Sequence, residues 1–321
     1  MQEIQYFRQN IPMKILILGA GAVGLSVAAK LSNVAEVHAV CRKKSADAIA
    51  SRGFALTGIW GEGTFRFSAT ETVPEGSRFD YIIISSKSQD TEAICQQYAG
   101  LIHDTETVSL QNGIGNEEII SQYTNRVIGG MIITGFEWRG DAAVHVSVEA
   151  GPMKLGRFPQ GLDEPVTTLA DLIRKAGMNV ETSSTIRSEL WGKTLYNCAL
   201  NPLGAVMAVP YGSLAHPAAW RIIEQIVTEA FAVVAAEGVR LPWGDAGEYL
   251  EYLRTVQLPA TVRHHSSMFQ DLSRGRKTEI DFINGAVVAK GREHGIPTPC
   301  NAMMVNLIKF RESLAAPGVS R

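Results

Sequence analysis

The chain has 321 residues, 45% of them apolar, and a formal net charge of −2. That length accommodates two domains, and the composition is ordinary for a globular protein. A charge so near zero gives no electrostatic case for nucleic acid or an anionic membrane surface, and no apolar run is long enough to span a bilayer. The cysteines Cys41, Cys95, Cys198 and Cys300 are scattered without metal-ligand or redox spacing, so a reduced, cytoplasmic setting is expected.

Residues 1–12 read as an N-terminal extension, with Met13 an alternative first residue. The stretch that organises the rest is Lys14-Ile15-Leu16-Ile17-Leu18 running into Gly19-Ala20-Gly21-Ala22-Val23-Gly24. A small-residue helix follows over residues 25–31, then a second apolar strand, Glu36-Val37-His38-Ala39-Val40. Strand, glycine turn, helix and strand within some 30 residues form the dinucleotide-binding fingerprint. Gly19 makes the tight turn, Gly21 lets backbone approach a pyrophosphate, and Gly24 lets the helix sit close on the strand. The helix N-terminus, with Ala20, Ala22 and Val23 around it, offers N–H groups to phosphate.

After the second strand an NAD site expects an acid for the ribose 2′-hydroxyl. Here stand Arg42, Lys43 and Lys44, and a guanidinium grips a 2′-phosphate with two hydrogen bonds. NADP(H) is therefore expected, with Arg42 as anchor and Lys43 as helper; a solvated basic turn is the plain alternative. A helix is expected near residues 45–52, a hairpin over 57–68, and a buried strand over 79–84 that delivers Lys87 to the ligand-binding edge of the sheet. Residues 89–101 read as one helix. The strand at 107–110 runs into Gln111-Asn112-Gly113-Ile114-Gly115, where Asn112 either orients a ligand or merely forms an Asn-Gly turn. Further strands are expected over 127–134, 144–148, 154–156 and 179–181, with an amphipathic helix over 162–176 ended by Gly177.

Strand signals stop near residue 183, and the remainder is helix-patterned with a break at Pro202. The expected class is α/β: an N-terminal Rossmann-type doubly wound sheet (residues 13–183) followed by an all-α C-terminal domain (184–321). In the apolar helix over 186–200, Glu189, Lys193 and Asn197 recur every four residues, with Asn201 at the same step, so they share a face. A lysine there loses hydration, and its pKa falls towards the range of a proton donor. The alternatives are a Glu189–Lys193 surface pair and an Asn201 helix cap before Pro202. Thr278 with Asp281 fits a capping box, which puts Glu279 in the first turn of a helix; an acid there also simply favours the helix dipole.

Together these residues resemble the ketopantoate reductase (2-dehydropantoate 2-reductase) family from Met13 to about Leu307. The specific motifs are Gln111 to Gly115, Trp191-Gly192-Lys193 with Asn197 and Asn201-Pro202-Leu203, and Ser267-Met268 through Thr278-Glu279-Ile280-Asp281 to Asn284-Gly285. The resemblance implies NADPH-dependent reduction of 2-dehydropantoate to pantoate, on the route to pantothenate and coenzyme A. It implies that Lys193 protonates the substrate carbonyl and that Glu279 is the second catalytic acid. Asn112, Asn197, Asn201 and Ser267 match cofactor- or substrate-binding positions, and Arg42 and Lys87 match NADP phosphate contacts. One position departs from the pattern: His264 stands where some members have a substrate-site asparagine. The expected reaction is direct hydride transfer in a cleft between domains, with a small 2-oxo acid as partner, no nucleic acid or membrane, no metal, and a possible homodimer. The alternatives are a paralogue reducing another 2-oxo acid or ketone, and a non-catalytic NADP(H) sensor.

Overall fold

The structure is a computed structural model that describes residues 12–314; the expected extension lies, apart from Pro12, outside them. The described residues fall into two compact units, one up to Gln111 with Asn116–Ile186, the other Asn112–Gly115 with the chain from Arg187 on.

The first unit holds twelve strands in chain order: β1 (Lys14–Leu18), β2 (Glu36–Val40), β3 (Phe54–Gly58), β4 (Gly63–Phe65), β5 (Ser68–Thr70), β6 (Tyr81–Ile84), β7 (Glu106–Ser109), β8 (Val127–Met131), β9 (Thr134–Gly140), β10 (Ala143–Glu149), β11 (Met153–Arg157) and β12 (Val180–Thr182). Eight form one sheet in the order β12-β11-β8-β7-β6-β1-β2-β5, parallel except where β11 meets β8. The alternation of β1 explains why the sheet is covered on both faces. Ile15 and Ile17 belong to one apolar cluster with Leu25 and Val27, whereas Leu16 and Leu18 belong to another with Ile82, Ile84 and Cys95. Chain order reverses at β1, between its neighbours β2 and β6, which is the switch point where such sheets bind ligands.

Three expectations are corrected in this unit. The hairpin β3–β4 does not stand alone: β3 pairs with β10 and β10 with β9, giving a second four-stranded sheet. The strand β9 went unread because Thr134-Gly135-Phe136-Glu137-Trp138-Arg139-Gly140 has a glycine near each end and lies half-exposed, so it lacks a clean apolar run. The helix expected over 89–101 is a 3₁₀ turn at Ser88–Asp90 and two short helices, Thr91–Gln97 and Ala99–Ile102, broken at Tyr98.

The second unit is helical. Its long helix, Ile186–Met207, runs through Pro202 without a break. A mid-helix proline cannot donate to the carbonyl four residues back. That carbonyl, on Cys198, accepts instead from Asn284 Nδ2 at 3.3 Å, so the missing bond is replaced from another helix. Asn284 is fully buried and also donates to Asn301 Oδ1 at 3.0 Å; Asn301 in turn donates to Glu229 and to the Ile226 carbonyl. This buried network ties Ile186–Met207 to the helices Asn284–Glu293, Pro299–Leu314 and Pro217–Ala236. No helix among the described residues is long and apolar enough to cross a membrane.

Replacing Asn284 by Ala leaves the Cys198 carbonyl and the Asn301 oxygen without a partner. The expected loss is about 2–4 kcal/mol, two buried groups at roughly 1–3 kcal/mol each with partial relaxation. A urea unfolding midpoint matching the parent protein would show that these bonds do not hold the helix.

Candidate active site

In the first unit the three motif glycines differ in what surrounds them. Gly19 has φ +67°, and a Cβ there would fall 2.3 Å from the Ser86 side chain, so the turn needs glycine twice over. A Cβ on Gly24 would lie 2.1 Å from Ser85 Oγ and 3.1 Å from Ile17 Cγ2, which is the close helix-on-strand contact. Gly21 is the opposite case: a Cβ there meets nothing within 4 Å. It also caps the helix Ala22–Leu31 with no side-chain hydrogen bond. A close-packed turn whose middle glycine and helix N-terminus face open space fits a pyrophosphate. Ala20 donates its N–H to the Val40 carbonyl at 2.9 Å, which ties the turn to β2, while Ala22 and Val23 open the helix half-buried.

Arg42 lies at the end of β2 as the residue before helix Lys43–Arg52, and it is exposed. Lys43 is exposed and pairs with Asp47 at 3.5 Å, and Lys44 pairs with Asp141 at 3.2 Å. Lys87 is half-buried at the start of the 3₁₀ turn that follows β6. The residues present thus fit a dinucleotide at this edge.

The second unit brings together residues that are far apart in sequence. Lys193 Nζ donates to Asn112 Oδ1 at 2.6 Å, and Asn112 Nδ2 donates to Glu279 Oε2 at 3.2 Å. Asn112 reaches this position because its loop lies flat on the segment that carries Glu279. Ile114 N donates to the Phe282 carbonyl at 2.8 Å, and Gly113, at φ +86°, approaches so closely that a Cβ would fall 2.2 Å from that same oxygen. The loop's two roots are fixed in the first unit. Thr91 Oγ1 accepts from Gln111 Nε2 at 2.7 Å and donates to Asn116 Oδ1 at 2.9 Å. Gln111 belongs to the motif read from sequence, whereas Thr91, which joins it to Asn116, carried no signal of its own.

Burial pushes the Lys193 amine down from 10.5 to about 8, and the Glu279 carboxylate opposes that shift. The residue as a whole is half-buried, with its amine enclosed. Glu279 is buried, 5% exposed. The capping box expected here is absent. Thr278 Oγ1 accepts from Ile280 N at 3.3 Å, Glu279 precedes a 3₁₀ turn at Ile280–Phe282, and the α-helix begins at Asn284. Asp281 pairs with Lys309 at 2.6 Å rather than capping a helix. Asn197 and Asn201 are buried on the helix that carries Lys193. His264 is half-buried with its ring 5.3 Å from that of Tyr211. Ser267 is exposed at the start of helix Ser267–Ser273; the buried serine is Ser266, whose hydroxyl accepts from Phe269 N and donates to the Asn201 carbonyl. Among the described residues no group of His, Cys, Asp and Glu is placed to hold a metal.

Two family models match this chain: Ketopantoate reductase PanE/ApbA over residues 15–160 and its C-terminal counterpart over 185–312. The 2-dehydropantoate 2-reductase of Pyrococcus horikoshii is 33% identical over 312 residues, covering 94% of this chain and 98% of that one. The Aquifex aeolicus protein of the same name is 33% identical over 311 residues, covering 94% and 97%. Among solved structures, the ketopantoate reductase of Ralstonia eutropha JMP134 superposes with a TM-score of 0.85 at 29% identity, covering 94% of this chain and 99% of that one. A D-mandelate dehydrogenase with NADH and anilino(oxo)acetate gives a TM-score of 0.85 at 28% identity, with the same coverage. The chain belongs to the ketopantoate reductase family of oxidoreductases, which act on a ketone or the corresponding alcohol.

Proposed function

We propose that the protein reduces a 2-oxo acid with NADPH, with 2-dehydropantoate as the substrate and pantoate as the product, a step on the route to pantothenate and coenzyme A. The observation that carries this reading is the enclosed amine of Lys193 bonded to Asn112, itself bonded to Glu279. The relatives' names supply the substrate. When bound, the cofactor supplies a hydride to the ketone carbon.

The chain's own residues do the rest. Hydride addition places negative charge on the carbonyl oxygen, and a cationic Lys193 stabilises that charge and then yields a proton to that oxygen. Asn112 accepts from the amine and so fixes the direction of the remaining N–H bonds. The Glu279 carboxylate keeps the amine protonated against its burial. Asn197, Asn201, His264 and Ser267 are assigned to the substrate. The glycine turn and Lys87 are assigned to the cofactor's phosphates, and Arg42 with Lys43 to the ribose 2′-phosphate. The absence of an acid at the end of β2 favours NADPH over NADH.

A second reading, reduction of a different 2-oxo acid, is favoured by His264 and by its ring contact with Tyr211. NADPH oxidation measured against a panel of 2-oxo acids separates the two; no oxidation with any acid would leave a non-catalytic NADP(H)-binding protein. On the best substrate, Lys193→Ala is expected to lower kcat by roughly 10²–10⁴-fold, the usual range for a general acid. Full activity in that variant would remove Lys193 from the chemistry. Arg42→Ala is expected to cut the NADPH-over-NADH preference by about 10–100-fold, the range for losing charge-assisted hydrogen bonds. An unchanged cofactor ratio would detach Arg42 from the cofactor.

A further inference from the structure

The strand β5 forms one edge of the eight-stranded sheet and pairs in parallel with β2. The register sets Val40 against Thr70, and Cys41 N donates to the Thr70 carbonyl at 2.9 Å, so the next residue, Glu71, stands against Cys41. The backbone on both sides of Glu71 is held. Thr70 Oγ1 donates to the Thr72 carbonyl at 2.6 Å and, its one proton so used, accepts from His38 Nε2 at 2.7 Å. His38 Nδ1 in turn accepts from Ser68 Oγ at 2.9 Å. Glu71 is thus fixed at the carboxyl edge of the sheet, on the strand next to Arg42 and one residue short of its level.

Residues opposite one another on parallel strands share a face of the sheet. Cys41 belongs to the apolar cluster of Leu25 and Val27 on helix Ala22–Leu31, so Glu71 lies on the face whose helix N-terminus is assigned to the pyrophosphate. Its charge reaches the end of β2: burial pushes the Cys41 thiol up to about 11, and the Glu71 carboxylate adds to that rise. The basic run after β2 is also less positive than its sequence suggests. Lys43 pairs with Asp47 and Lys44 with Asp141, while Arg42 and Glu71 are both exposed. Three cations are therefore matched by three carboxylates. Among the described residues Glu71 is the one of these acids with no cation within ion-pair distance.

We propose that Glu71 is a cofactor-specificity residue: from the neighbouring strand it supplies the negative charge that the end of β2 lacks, and so opposes the 2′-phosphate that Arg42 attracts. The inference rests on the NADPH reading above and makes the preference for NADPH over NADH a balance of two opposed side chains. A ribose with a free 2′-hydroxyl meets no such repulsion, so NAD(H) binding is indifferent to the Glu71 charge. A carboxylate several ångströms from a doubly charged phosphate, both in contact with water, weakens binding by about 3–10-fold, and salt screens the effect.

The test is calorimetric titration of the ligand-free, full-length protein with NADP+, NAD+, 2′,5′-ADP and 5′-AMP. Glu71→Gln keeps the shape and removes the charge. It is expected to tighten NADP+ and 2′,5′-ADP by about 3–10-fold at low salt, with NAD+ and 5′-AMP unchanged. Glu71→Lys is expected to tighten the two phosphorylated ligands further. Both gains should shrink as ionic strength rises to about 0.5 M, which a purely structural change would not show. NADP+ affinity unmoved by either substitution overturns the proposal, as does a change shared equally by NADP+ and NAD+. In those cases a parent protein that still prefers NADP+ leaves the NADPH reading standing. A parent protein that prefers NAD+, with the Glu71→Gln gain present, defeats the NADPH reading and upholds the role of Glu71. No binding of any of the four ligands defeats both.

Discussion

The constraint on which the rest depends is a positive charge withdrawn from water. An ammonium on a largely apolar helix loses hydration, and burial alone would strip its proton. Two groups oppose that outcome: the Asn112 carbonyl oxygen, 2.6 Å from Nζ, and the Glu279 carboxylate, which raises the pKa that burial lowers. The balance falls at about 8 rather than 10.5. An amine poised there is charged at neutral pH yet gives up its proton readily, which is what a general acid for ketone reduction needs.

Several features of the backbone follow from bringing those groups together. Asn112 comes from the loop after β7 and Glu279 from a 3₁₀ entry to a helix far along the chain. They meet because Gly113 tolerates φ +86° and contact with the Phe282 carbonyl, which a side chain would forbid. The helix that supplies Lys193 also carries buried Asn197 and Asn201, so it buries polar groups where a structural helix would place only apolar ones. It runs through Pro202, and the carbonyl this leaves unpaired is taken up by Asn284, which Asn301 and Glu229 hold in turn. The polar core of the second unit thus keeps the proposed catalytic helix intact.

Much of this was legible in the residues. The β1 run and its three glycines specify the first unit because parallel-strand burial and the phosphate turn each demand particular residue types at fixed spacing. The four-residue period of Lys193, Asn197 and Asn201 placed them on one face for the same reason. What was not legible depends on contacts distant in sequence. Pro202 reads as a break because nothing nearby announces that Asn284 will replace the lost bond. Thr278 and Asp281 match a capping box by spacing, but Asp281 is drawn to Lys309 instead. Asn112 read as a turn or a ligand contact, and its bond to Lys193 is a tertiary fact.

The central claim is the poised amine, and it can be observed directly by NMR titration of a ¹³C-lysine-labelled sample, with the Lys193 signal assigned by its loss in Lys193→Arg. The account predicts a titration near 8 in the free protein, with the charged form lost as pH rises through that value. Because Glu279 raises this pKa, Glu279→Gln should move the midpoint lower still. A Lys193 midpoint at the ordinary 10.5, unmoved by the Glu279 substitution, would contradict the account.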